Sequence, residues 1–274
     1  MMPELSFALV SAGGASPSRW MLFLHGILGS GSNWRTFAAR FVAARPSWGA
    51  ALVDLRMHGQ SVGFLPPHTI EACAHDVRRI ASKLPGPAEG LLGHSFGGKV
   101  ALEVLRTPED VRVAWILDST PSARPDSRGS ESTVKIVSLL QRLPARFPTR
   151  DSFIQEVMNA GNDRAIAMWL AMQVKAAKEG DGYEWRVDLP AIRQMLDDYF
   201  LRDEWDVLLH TRADVHLVIG GKSSVLDVAD RARAAELALA THHLTVHVLP
   251  DAGHWVHVDA PNELLEIVLA GTAP

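Results

Sequence analysis

The chain has 274 residues, 47% hydrophobic and 21% charged, enough to bury one sizeable core with room for an insertion. Its formal net charge is −4, with both signs interspersed and no Lys/Arg block to track phosphates, so no nucleic-acid partner is expected. Cys73 is the only cysteine, which excludes an internal disulfide and fits a reducing compartment.

The opening stretch MMPELSFALV lacks a basic segment followed by a long apolar run and a small-residue cleavage site. No run approaches the ~18 apolar residues of a membrane span. These features predict a soluble, cytoplasmic protein without membrane insertion. LSFALV reads as an antiparallel edge strand. The short apolar runs RWMLFLHG (19–26), GAALVDLR (49–56), EGLLGHS (89–95) and VRVAWILD (111–118) read as buried strands. Between them NWRTFAARFVAA, TIEACAHDVRRIASKL and GGKVALEVLR repeat apolar residues every three to four positions, as helices do. Such alternation builds a mainly parallel sheet covered on both faces.

After Asp118 the alternation stops. The polar stretch STPSARPDSRGSES leads into helical patterns only: TVKIVSLLQRL, DSFIQEVM, DRAIAMWLAMQVKAAK and LPAIRQMLDDYF. Strands return with DVHLVIGG (214–221) and LTVHVLPD (244–251), each followed by a helical segment. The reading is an α/β core over residues 1–119 and 210–274, with a helical cap insertion over 120–209. Trp169, Trp185 and Trp205 all lie in that insertion and are candidates for an apolar acyl site of limited depth.

The chemistry centres on Gly93-His94-Ser95-Phe96-Gly97, a G-x-S-x-G at a strand end that opens a helix, the context of a nucleophile elbow. A serine hydroxyl is a poor nucleophile at neutral pH; it needs a base, an acid to orient that base, and donors for the oxyanion it creates. His254 in PDAGHWVH lies just past the last strand, where the carboxyl ends of a parallel sheet converge, and is preferred as the base. His257, three residues on, is a competitor that reads as a surface or supporting residue. His25 and His94 are expected to shape the site. LHGILGS follows the second apolar strand, so the backbone N–H groups of Ile27 and Phe96 are the oxyanion candidates.

LHGILGSGSNW, DLRMHGQS, LLGHSFGGKVAL and AGHWVHVDAP, in this order, resemble the α/β-hydrolase superfamily, and within it the YbfF-type bacterial esterases and their mitochondrial abhydrolase relatives. GGKSSVL and WRVDLPAI are similar to the same branch. The resemblance implies an α/β-hydrolase fold: a mainly parallel, eight-stranded sheet flanked by helices, with a helical cap inserted after strand six, the strand that ends at Asp118. It also implies hydrolysis of short or medium acyl esters or thioesters through an acyl-enzyme, without a cofactor. Many members carry their triad acid just after the next sheet strand, in a pattern like G-x-x-D. Here Gly220-Gly221-Lys222-Ser223 has serine in that place, which leaves Asp118 and Asp227 as acids. Asp227 heads DVADRARAAELALA, where a helix N-cap explains it; the YbfF-like resemblance favours Asp118. Asp54 is expected to fix the RMHGQS loop, and Asp76 and Asp251 read as ordinary helix or turn carboxylates.

Ser95 argues against haloalkane dehalogenases and epoxide hydrolases, which resemble this architecture with aspartate as nucleophile. Carbon-carbon bond hydrolases, perhydrolases and acyltransferases use the same serine machinery and remain alternatives, as does a ligand sensor with negligible turnover. No metal site is indicated, because no His/Asp/Glu group shows ligand spacing. GILGSGS lacks the Lys-Ser/Thr of a phosphate loop.

Overall fold

The computed structural model describes residues 3–107, 110–185 and 187–273. The main sheet strands are β1 (Phe7–Val10), β2 (Arg19–Leu24), β3 (Trp48–Val53), β4 (Ala88–His94) and β5 (Val113–Leu117). Within the insertion lie β6 (Arg146–Phe147), β7 (Val174–Ala176) and β8 (Tyr183–Trp185), and β9 (Asp214–Gly220) and β10 (Leu244–Leu249) complete the sheet. The order across the sheet is β1-β3-β2-β4-β5-β9-β10. β1 runs antiparallel to β3 and every other pair is parallel.

The sheet has seven strands among the described residues, one fewer than the resemblance implies. The link from β1 to β2 reads SAGGASPS, with Gly14 at φ 75. A link of small residues with a turn glycine and a proline offers no apolar alternation for another strand.

Strand period 2 divides the core. Leu22, Leu24, Leu91, Ala114 and Ile116 point to one face and pack with helices Ile70–Ala81 and Phe96–Leu105. Met21, Phe23, Leu92, Val113 and Trp115 point to the other and pack with helices Arg35–Ala44 and Pro261–Ala270. The first cluster runs without a break into the insertion through Val137, Phe153, Leu170, Ile192 and Met195.

The insertion holds helices Glu131–Leu140, Arg150–Asn159, Arg164–Ala171, Leu189–Leu201 and Trp205–His210, and it is not purely helical. β6, β8 and β7 form a small antiparallel sheet in that order. The expected helix through Lys178 ends at Ala171, and the chain turns back through Gly180 and Gly182, both at positive φ. Strands of two or three residues leave no period to read, and MQVKAAK has ordinary helix propensity.

Candidate active site

Ser95 alone joins β4 to helix Phe96–Leu105, at φ 53 and ψ −118. A non-glycine residue held there costs roughly 1–3 kcal/mol, so its surroundings must fix it. Its N–H donates to the Leu117 carbonyl at 2.9 Å, and its carbonyl accepts from Gly98 N–H at 2.8 Å. A side chain at Gly93 would strike the Gly97 carbonyl, and a Cβ at Gly97 would sit 2.5 Å from the His25 carbonyl. The two glycines let strand and helix meet.

β4, β5 and β10 deliver Ser95, Asp118 and His254 to one sheet edge. His254 Nε2 lies 3.1 Å from Ser95 Oγ, and His254 Nδ1 lies 2.7 Å from Asp118 Oδ2. Asp118 is wholly buried directly after β5. Its Oδ1 accepts from Gly220 N–H at 2.9 Å and its Oδ2 from Ser223 Oγ–H at 2.5 Å. A buried carboxylate with this many donors is held in one orientation. Asp227 accepts from Asp230 N–H at 2.9 Å as the N-cap of helix Val228–Ala240. That backbone hydrogen bond, with the Arg124 and Arg128 guanidiniums, holds its carboxyl below the usual range.

The 25–29 loop crosses in front of Ser95. Among the described residues, neither Ile27 N–H nor Phe96 N–H donates to a protein acceptor. Phe96 N–H is one of the orphan donors at the start of its helix. His25 Nε2 accepts from Leu55 N–H at 3.0 Å, so its proton is on Nδ1, which donates to the Gly26 carbonyl at 2.7 Å. His58 is fixed the same way: Nε2 accepts from Leu28 N–H at 3.1 Å and Nδ1–H donates to the Arg56 carbonyl at 2.8 Å. Burial pushes His25 down to about 4 and His58 to about 3, so both rings are neutral. Asp54 takes Gly31 N–H and Gln60 N–H, each at 2.8 Å, and pins the RMHGQS loop as expected.

His94 Nε2–H donates to the His254 carbonyl at 2.8 Å and so holds His254 from behind. Burial, reinforced by His254 and His257, keeps its ring neutral. His257 does not reach Ser95; its ring lies tilted 4.6 Å from Trp34 and edge-on 4.8 Å from His94, and burial pushes it down to about 4.

A cavity of about 250 Å³ opens over Ser95 and His254. Ile136, Ile166, Trp169, Val225 and Trp255 give it an apolar wall, and Ser130, Ser132, Thr133 and Ser224 a hydroxyl wall. Of the three insertion tryptophans only Trp169 lines it, edge-on to Trp255 at 4.8 Å. Trp185 stacks on Phe153 at 5.6 Å, and buried Trp205 donates to Ser122 Oγ at 2.7 Å. Those two pack the insertion and form no part of the cavity.

Ser223, His58 and Gln173 escape sequence reasoning. The departure from G-x-x-D marks position 223, but nothing in the sequence shows that its hydroxyl meets an aspartate 105 residues away. No group of three or more His, Cys, Asp or Glu side chains among the described residues could hold a metal ion. No helix among them is long and apolar enough to cross a membrane.

The profile of the Alpha/beta hydrolase family matches residues 21–267. The zebrafish protein named sn-1-specific diacylglycerol lipase ABHD11 is 28% identical over 268 residues, 95% of this chain and 80% of that protein. Esterase Rv0045c of Mycobacterium tuberculosis is 30% identical over 282 residues, covering 97% of this chain and 88% of the esterase. In three dimensions the chain superposes on a marine microorganism esterase with a TM-score of 0.84 at 22% identity, covering 98% and 100% of the two chains.

Proposed function

This chain belongs to the alpha/beta hydrolase family and is a carboxylesterase-like hydrolase, and from that premise we propose that it cleaves short to medium acyl esters or thioesters through an acyl-enzyme on Ser95. The observation that carries the reading is the unbroken hydrogen-bond chain from Ser95 Oγ through His254 to Asp118, at 3.1 and 2.7 Å.

In this reading His254 Nε2 takes the Ser95 proton as Oγ attacks the carbonyl carbon, and Asp118 stabilises the imidazolium that results. The carbonyl oxygen becomes an oxyanion and is met by Ile27 N–H and Phe96 N–H, the latter aided by its helix N-terminus. His254 then gives its proton to the departing alcohol or thiol. Water, deprotonated by the same imidazole, returns the enzyme and releases the acid. No cofactor takes part. Residues 120–209 act as a cap whose Trp169 and Ile166 face the acyl chain.

The cavity supports a modest substrate. About 250 Å³ falls below the ~300–1,000 Å³ that usually encloses a drug-sized ligand, so one short or medium chain fits better than a diacylglycerol with both of its chains. A panel of p-nitrophenyl esters and acyl-CoA thioesters of increasing chain length tests this. A kcat/KM maximum at short to medium chains supports the reading. Activity rising steadily to long-chain lipid emulsions contradicts it.

A further inference from the structure

The loop in front of Ser95 is held from three directions, and one of the three holds comes from the insertion. A trans peptide is planar, with its C=O and N–H pointing in opposite directions, so whatever fixes the carbonyl of one residue also aims the next residue's N–H. The Gly26 carbonyl accepts from His25 Nδ1–H at 2.7 Å and from Gly29 N–H at 3.0 Å, and this aims Ile27 N–H the other way. In the next peptide Leu28 N–H is taken by His58 at 3.1 Å. Beyond it, the carbonyls of Leu28 and Gly29 both accept from Gln173 Nε2, at 3.3 and 3.1 Å.

His25 follows β2 and His58 follows β3, so both belong to the sheet's own loops. Gln173 belongs to the insertion, in the turn between helix Arg164–Ala171 and β7. It is buried, and its amide reaches across 145 residues of sequence to the loop. Two carbonyl acceptors require that the NH₂ end of the side chain faces the loop. The loop needs such support: Leu28 is a branched residue at φ 62, a left-handed conformation that a free loop would leave.

We infer that Gln173 is a positioning residue for the oxyanion site, through which the seating of the insertion sets the direction of Ile27 N–H. The inference rests on the proposed role of Ser95 and Ile27. When the insertion is seated, all three peptides from Gly26 to Gly29 are pinned. Without the Gln173 amide, the Leu28 and Gly29 carbonyls lose their partner and the left-handed turn at Leu28 relaxes, taking Ile27 N–H off line. Gln173 touches no reacting atom, so its loss acts on the transition state through the loop.

The test compares wild type with Gln173→Met, which keeps length and removes the donor, and Gln173→Glu, which sets an acceptor against two carbonyls. A melting curve first verifies that each variant is folded; if one is not, the other carries the test. Three quantities are then read: kcat and KM on the best p-nitrophenyl ester, the Ki of a trifluoromethyl ketone of the same acyl length, and the Ki of the product carboxylate. The ketone forms a tetrahedral oxyanion adduct, whereas the carboxylate reports ground-state binding. The expected result is a fall in kcat of about 10- to 100-fold, an equal weakening of the ketone, and KM and carboxylate affinity within about 2-fold of wild type. Unchanged kcat and ketone affinity overturn the inference, and so does a loss shared equally by KM and the carboxylate. Wild-type labelling of Ser95 by a fluorophosphonate is the companion control. If it fails, the serine reading itself falls; if it succeeds while the variants behave as wild type, only the role of Gln173 falls.

Discussion

Ser223 Oγ donates to Asp118 Oδ2 at 2.5 Å, so the serine that stands where many relatives carry an acid supports the acid one strand away. Its own position is kept by Val225 N–H, which donates to Ser223 Oγ at 3.2 Å. Ser223→Ala removes one of the donors to a buried carboxylate while leaving Gly220 N–H and His254 in place. It is expected to lower kcat by about 3- to 10-fold with KM unchanged, one charge-assisted hydrogen bond being partly replaced by its neighbours. Ser223→Asp sets a second carboxylate against the first and is expected to cost more. Steady-state kinetics of the two variants side by side checks the order.

Asp118 and Asp227 separate cleanly by substitution. In the proposed mechanism Asp118→Asn removes the charge set against the imidazolium, and it is expected to cut turnover by about 10²- to 10⁴-fold in a folded protein. Asp227→Asn keeps a capping side chain at the head of helix Val228–Ala240 and is expected to leave turnover near wild type. Asp227→Ala is expected to cost about 1 kcal/mol of stability with turnover unaffected. The reverse ranking of the two Asn variants would transfer the acid to Asp227.

Much of this was legible in the sequence because it depends on local pattern. The strand runs are short, apolar and bounded by turn residues, and the elbow glycines flank Ser95 at fixed offsets. LSFALV holds the expected antiparallel edge strand, over Phe7–Val10. What was not legible is what depends on distant approach. Gln173 meets Leu28, Ser223 meets Asp118 and His58 meets Leu28 only after the sheet has brought their loops together. Trp185 and Trp205 carry the same sequence signal as Trp169, and only packing decides which of the three faces the cavity. The β7–β8 hairpin is too short to show a period, and its glycine turn was the one available sign.

Lys99 is fully buried at the start of helix Phe96–Leu105, and its ammonium donates to the carbonyls of Ser122, Tyr199 and Arg202 at 3.0, 2.9 and 2.9 Å. Ser122 lies where the chain enters the insertion, and Tyr199 and Arg202 where it leaves, so one cation ties both ends to the helix. Lys99→Met strands those carbonyls and is expected to destabilise the fold by about 3 kcal/mol or more. At ~2–4 °C per kcal/mol for a chain of this size, the melting temperature is expected to fall by about 6–12 °C. A shift under ~2 °C would show that water or rearrangement satisfies the carbonyls.

Four imidazoles near the site, three buried and His257 partly so, give stability a definite pH dependence. His25 and His257 are pushed down to about 4 and His58 to about 3, and His94 lies well below its ordinary value of 6.5, all chiefly by burial. Each takes up a proton more readily in the unfolded chain, so its contribution is present above about 6.5 and is lost as pH falls towards 4. Glu204 acts in the opposite sense, since burial pushes it up to about 7, but it is one group against four. Melting temperature is expected to fall steadily between pH 6.5 and 4.5, and less steeply in His257→Gln. A flat profile over that range would contradict burial of neutral rings.

Trp169 closes the apolar wall beside Trp255. Trp169→Ala is expected to enlarge the acyl site and move the chain-length optimum of kcat/KM upward by a few carbons, while Trp185→Ala lowers stability and leaves the optimum where it was. The ester panel applied to both variants checks this; an equal shift in both would mean that the insertion packs as a unit against the chain.

Mass spectrometry of the covalent adduct shows whether Ser95 is the nucleophile. Wild type is incubated with a fluorophosphonate, and separately quenched in acid during turnover of a p-nitrophenyl ester, then digested and mapped. One phosphonyl or acyl group is expected on the Ser95 peptide, with no adduct in Ser95→Ala and ester turnover in that variant lowered by about 10⁴-fold or more. An adduct mapped to another residue, or Ser95→Ala turning over near the wild-type rate, would contradict that role.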